Sequence, residues 1–183
     1  FKLKGELSTK WAKVGYQTIF WSPDLLMQNY LSNVYRWQND FDLMGANTIY
    51  GSIPLKINKF ELVPEAQYHL LTKYLYYDEN AIARQHDKVI NLLRVGATAK
   101  WEGGRWAFAG MGYLTTTDKD IIRVPSVFAS GQITYDFTYA KAMDVQLGIA
   151  TTYRSSYYAD AYMPMTQQFH LNNNFLVDSY AVA

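Results

Sequence analysis

Three histidines, His69, His86 and His170, fall on three separate segments, with no spacing that would bring two imidazoles to one metal ion. Asp118 and Asp120 in "DKD" could offer oxygens to a calcium ion, but the rest of a binding loop is missing, so a loop tip is expected. Glu61 with Glu65, and Asp40 with Asp42, have the look of paired carboxylates for acid–base work. Both pairs are interleaved with Lys and Arg, the pattern of a solvated wall. No nucleophile elbow, phosphate loop or dinucleotide fingerprint occurs. The chain has no cysteine, which removes disulfide scaffolds, zinc–thiolate sites and thiol nucleophiles together. The expectation is a protein without metal, cofactor or catalytic group.

What the polar residues do show is a rhythm. In "DVQLGIATTYR", Val145, Leu147, Ile149, Thr151 and Tyr153 share one parity, and Asp144, Gln146, Gly148, Ala150, Thr152 and Arg154 the other. Side chains alternate across a strand, so this stretch has one apolar and one polar face. The same alternation begins the chain, with Lys2, Lys4 and Glu6 opposite Phe1, Leu3 and Leu7. It returns at 12–20, and in "VYRWQNDFDL", where Tyr35 and Trp37 oppose Arg36, Gln38 and Asp40. Further stretches follow at 46–55, 65–76, 89–101, 105–117 and 127–139, and a last one starts near 175. Roughly ten strands are expected. Many are longer than the mode of about 5 to 6 residues in soluble proteins, and they match the roughly 9 to 11 of a tilted membrane crossing.

Composition sets bounds on the partners. The formal charge of +1 and the absence of a basic block argue against a nucleic-acid partner. No apolar run of about 18 residues exists, so no transmembrane helix is expected. The chain opens inside an alternating pattern, without Met or an apolar signal region, and stops in another. It reads as a single region, 1–183, internal to a longer polypeptide. Aromatics are abundant, with 16 Tyr, 9 Phe and 5 Trp.

Connection lengths alternate from residue 56 onward: short "KINK", long "ENAIARQHD", short "EGG", long "DKDIIRVPS", short "AKAM", long "SYYADAYMPMTQQFHLNNN". Outer-membrane barrels have short periplasmic turns and long extracellular loops, which requires such alternation. Upstream the rule fails, because the long "SPDLLMQNYLSN" and a short turn near Met44 are out of phase with the rest, which leaves either a mistaken strand or a segment folded into the lumen. Rings gather at strand ends, as Trp101 and Trp106 beside "EGG", Phe137 and Tyr139 before "AKAM", and Tyr74, Tyr76 and Tyr153 at other ends. Two interfacial girdles would place them so.

The order "SPDLLMQNYLSNVYRWQNDFD", "NTIYGSIPL", "YHLLTKYLYYD" and above all "YRSSYYADAYMPMTQQFHL" resembles the putative-porin family of Bacteroidota outer membranes. The resemblance implies an internal portion of a longer outer-membrane β-barrel and supplies no catalytic residue.

The expected fold is therefore all-β, an antiparallel up-and-down transmembrane barrel in part. The expected lumen set is Lys4, Glu6, Arg36, Gln38, Asp40, Gln67, His69, Lys73, Arg94, Lys100, Gln132, Asp136, Gln146 and Arg154. The expected lipid and girdle set is Tyr35, Trp37, Tyr68, Leu70, Tyr74, Tyr76, Trp101, Trp106, Tyr135, Phe137, Val145, Leu147, Ile149 and Tyr153. The partners would be outer-membrane lipid, small hydrophilic solutes diffusing passively, and other outer-membrane subunits if the barrel is plugged or structural. The competing class is a soluble β-barrel or sandwich holding an apolar or sugar ligand, with Tyr68, Leu70, Val145 and Leu147 in a dry core.

Overall fold

Most of the alternating stretches become strands of one ten-stranded antiparallel sheet in the computed structural model, which describes residues 1–182. The strands are β1 (Lys2–Ser8), β2 (Lys13–Trp21), β3 (Met44–Ser52), β4 (Phe60–Thr72), β5 (Ile90–Gly103), β6 (Trp106–Thr117), β7 (Val127–Tyr139), β8 (Met143–Arg154) and β9 (Tyr180–Val182). The tenth piece, Leu55–Ile57, continues β3 against β4 in the same register. The break falls where Pro54 lies opposite Val63 and Pro64 opposite Ile53, because proline has no N–H for the ladder. Each strand pairs with its neighbour along the chain, an up-and-down meander.

Turn chemistry sets the short connections. Two residues, 58–59 and 104–105, join β3 to β4 and β5 to β6. Asn58 (φ 53°) and Gly104 (φ 66°) take the left-handed conformation that such turns need. At 140–142, Ala140 and Lys141 take it too, against the preference of their side chains. With 9–12, these are the four short connections, and all lie at one end of the sheet. The other end carries 22–43, 73–89, 118–126 and 155–179. Alternation of long and short now holds through the whole chain.

It holds because 34–43 is not a wall strand. Arg36–Gln38 pairs only with Asn29–Leu31, in a small hairpin inside the first long connection. Arg36, Gln38, Tyr35 and Trp37 therefore leave the wall, and Asp40 follows in the irregular chain beyond. Tyr74 and Tyr76 also leave it. The chain turns at Lys73 (φ 55°), just past β4, and Leu75–Tyr77 pairs with Ala83–Gln85. The stretch near 175 is likewise a small pair, Leu176–Val177 with Tyr157–Tyr158, before β9 begins at Tyr180.

These small hairpins form a cap with its own core of Trp37, Tyr77 and Ala83, against which Met27, Tyr30, Tyr35 and Phe41 pack. Trp37 stacks on Tyr30 at 4.7 Å and donates its indole N–H to the Leu26 carbonyl at 3.0 Å, within a one-turn helix α1 (Leu25–Gln28). All four long connections are tied together. Gln85 clips the Asp42 backbone through its amide oxygen (3.0 Å) and nitrogen (2.9 Å). Leu171 donates its N–H to the Tyr77 carbonyl at 3.0 Å, and Arg123 donates to Asn173 Oδ1 at 2.5 Å.

At its outer edges the sheet is open. β1 has one neighbour, and β8 pairs with β9 only over Thr152–Arg154, so among the described residues the sheet does not close on itself.

Candidate functional site

The site is a whole face of the sheet, and register defines it. Residues directly opposite in neighbouring strands lie on the same face, so a parity fixed in β8 propagates to β1 without a break. From Leu147 it runs to Tyr135, Trp106, Trp101 by way of Gly103, Phe60, then through Tyr68, Ile49 and Tyr16 to Gly5. Among the described wall residues, this apolar face carries no Asp, Glu, Lys, Arg or His. Every charged side chain of the eight long strands is on the other face.

The polar face holds both signs in balance. Lys2, Lys4, Lys13, Arg94, Lys100 and Arg154 stand with Glu6, Glu61, Glu65, Glu102, Asp136 and Asp144. Glu6 is the most fully engaged. Lys4 Nζ lies 2.9 Å and Lys13 Nζ 3.1 Å from its oxygens, and the Tyr50 hydroxyl donates to it at 2.7 Å. Tyr50 lies flat over Gly15, where a Cβ would run into its ring. Tyr113 lies over Gly96 in the same way and carries the Arg94 guanidinium 3.9 Å above its ring, a cation–π contact. His69 Nδ1 is 2.9 Å from Thr48 Oγ1, and Gln146 donates to Asp136 at 2.8 Å. What this arrangement can do is hold water and ions of either sign along a hydrogen-bonding surface.

Toward the long connections the polar face changes character. Its last residues there include Ile19, Met44, Leu71, Ile90 and Leu92, and Ile90 is fully buried.

The apolar face has a belt of rings at the short-turn end. Trp101 sits between Phe60 and Phe108, and Trp106 packs on Tyr135 at 4.7 Å. Two polar residues on this face, Asn47 and Asn91, accept hydrogen bonds from Tyr16 (2.7 Å) and Tyr68 (2.8 Å) near the opposite end. At that end, Asp118 accepts both the backbone N–H and the side-chain amide of Asn91, which hold its carboxyl below the usual range.

Of the residues expected in the lumen set, Lys4, Glu6, Gln67, His69, Arg94, Lys100, Gln132, Asp136, Gln146 and Arg154 share the polar face. Lys73 stands just past β4, bridging Asp42 (2.9 Å) and Asp87 (3.2 Å), which raise its pKa. Of the lipid and girdle set, Tyr68, Leu70, Trp101, Trp106, Tyr135, Phe137, Val145, Leu147, Ile149 and Tyr153 share the apolar face. Arg36, Gln38, Asp40, Tyr35, Trp37, Tyr74 and Tyr76 belong to the cap region. The polar face also carries aromatics that the expected sets leave out, Tyr50, Tyr113, Phe128 and Trp21. For three of them the signal was present, since Tyr50, Tyr113 and Phe128 are each one residue out of phase with an aliphatic neighbour, Ile49, Leu114 or Val127.

No curated protein matches the chain. A family model described as putative porin matches residues 1–183. With a match over its full length, on a meander whose charges all lie on one face, the chain belongs to the putative-porin family.

Proposed function

We propose that this chain is a stretch of wall in a bacterial outer-membrane β-barrel that lets small hydrophilic solutes diffuse passively, without catalysis. The observation that carries the reading is the uninterrupted uncharged face. A water-soluble domain seldom leaves so large an apolar surface open, yet Leu114, Leu147 and Ile149 are 61%, 60% and 72% exposed. A soluble barrel would pack the same residues into a core. In lipid that face needs no further partner, and a charge on it would be penalised by its depth. The polar face then lines the lumen, and its balanced charges give weak preference between cations and anions. Strand edges cannot face hydrocarbon with their N–H and C=O groups unpaired, so β1 and the free length of β8 pair with further strands in the membrane. Short turns face the periplasm and long connections the exterior.

One observation favours a narrowed mouth. The cap's hairpins are cross-linked to one another, and the strand ends beside them, at Met44 and Ile90, are apolar and buried on the polar face. The cap therefore restricts entry at the outer end.

The test is expression of the full-length protein, fractionation, a gel of boiled against unboiled sample, and planar-bilayer recording. Outer-membrane location, heat-dependent mobility and stepwise, roughly ohmic currents of low ion preference are expected. A water-soluble protein of unchanged mobility contradicts the membrane reading. A folded, membrane-inserted protein that carries no current contradicts diffusion and leaves a plugged or structural barrel.

A further inference from the structure

The near-zero net charge hides a polarity along the strand axis. Each of the four short turns carries one base and no acid: Lys10 in 9–12, Lys59 in 58–59, Arg105 in 104–105 and Lys141 in 140–142. The long connections run the other way, with acids outnumbering bases by ten to six. The wall between is nearly balanced.

Each turn base also neighbours a ring in sequence. Lys10 Nζ lies 5.5 Å from the centre of the Trp11 ring, and Arg105 donates toward the Tyr135 hydroxyl at 3.4 Å. Lys59 precedes Phe60, the partner of Trp101, and Lys141 follows Tyr139 by two residues. None of the four is in an ion pair among the described residues. The acids nearest this end, Glu61, Glu102, Asp136 and Asp144, are on the polar face; Lys59 shares a concavity with Glu61 and Glu102, and Arg105 one with Asp136 and Asp144, yet neither base pairs with them. A ring in the hydrocarbon boundary with a cation just beyond it is the chemistry that meets a lipid phosphate.

We infer that the short-turn end is a docking surface for anionic phospholipid headgroups, whose phosphates are bound by Lys10, Lys59, Arg105 and Lys141 above the belt of Phe60, Trp101, Trp106 and Tyr135. The inference rests on the membrane reading above and adds to it a lipid class and an orientation. The acidic long-connection end is unsuited to the same leaflet, so the charge axis helps to fix which way the barrel points. Screening by salt weakens the contact, since the cations are exposed.

The test uses the full-length protein folded in phosphatidylcholine bilayers, with spin-labelled phosphatidylglycerol or phosphatidylcholine added as the reporting lipid. The wild type is expected to favour the phosphatidylglycerol label, by up to about fivefold for each cation in contact, and to lose that preference in high salt. The variant Lys10→Gln/Lys59→Gln/Arg105→Gln/Lys141→Gln should treat both labels alike. A variant changing Lys88→Gln and Lys119→Gln in the long connections should keep the preference. Equal association in the wild type, or a preference lost with the long-connection variant and kept with the turn variant, would overturn the inference. Heat-dependent mobility, checked on every sample, separates this outcome from failure of the membrane reading, which would leave no folded, inserted protein at all.

Discussion

At Leu147 and Gln146 two neighbouring residues meet opposite surroundings. Leu147 lies opposite Tyr135 on the uncharged face, while Gln146 donates to Asp136 on the charged one. Leu147→Arg is expected to reduce folding free energy into bilayers by about 2 to 4 kcal/mol near the midplane. Gln146→Arg should change it little, because it adds a cation beside Asp136 and Asp144, in water. A dry core would also reject Arg at 147, so Leu147→Trp is the discriminating substitution. Lipid accommodates the larger ring, whereas a close-packed core would be strained by about 1 to 3 kcal/mol. Unfolding in lipid vesicles should show tolerance of Trp with intolerance of Arg; loss of folding with both would place Leu147 in a packed interior.

The elements divide into wall and cap, and the cap can be weakened without the wall. Trp37 is 8% exposed, stacked on Tyr30 and edge-on to Tyr77, so it ties the first long connection to the second. Trp37→Ala should remove about 3 to 5 kcal/mol from the cap's local stability. On intact cells the variant should be cut faster by protease within 22–43, with the turn at 104–105 spared and heat-dependent mobility unchanged. Loss of that mobility would show that cap and wall fold as one unit. Wall strands were legible in the sequence because alternation is local: each of β5 to β8 shows its two faces within its own residues. The cap was not legible. "VYRWQNDFDL" alternates as well as any strand, and what decides its fate is Trp37 reaching Tyr77 and Tyr30, contacts that period-2 reading does not contain. Likewise Tyr74 and Tyr76 continue the rhythm of β4, and only the left-handed backbone at Lys73 ends it. The connection lengths did carry part of the answer, since the phase error upstream marked 34–43 as a mistaken wall strand, while nothing in them marked the stretch near 175.

For the whole molecule, the central claim is that one face of the meander meets lipid and the other meets water. Register supports it, because a single parity runs from β8 to β1 and leaves one side of the described wall without charge. The chain contains no cysteine, so a cysteine placed along β8 is the one thiol within it, and any thiol elsewhere in the full-length protein is first replaced by serine. The most direct measurement is a cysteine scan from Asp144 to Thr152 in the full-length protein folded in vesicles. One arm reads reaction with a water-soluble maleimide, and the other reads quenching of an attached fluorophore by a quencher on the lipid chains. Positions 144, 146, 148, 150 and 152 should react with the maleimide and escape the quencher; 145, 147, 149 and 151 should do the reverse. A flat profile, or the two parities exchanged, would contradict the account.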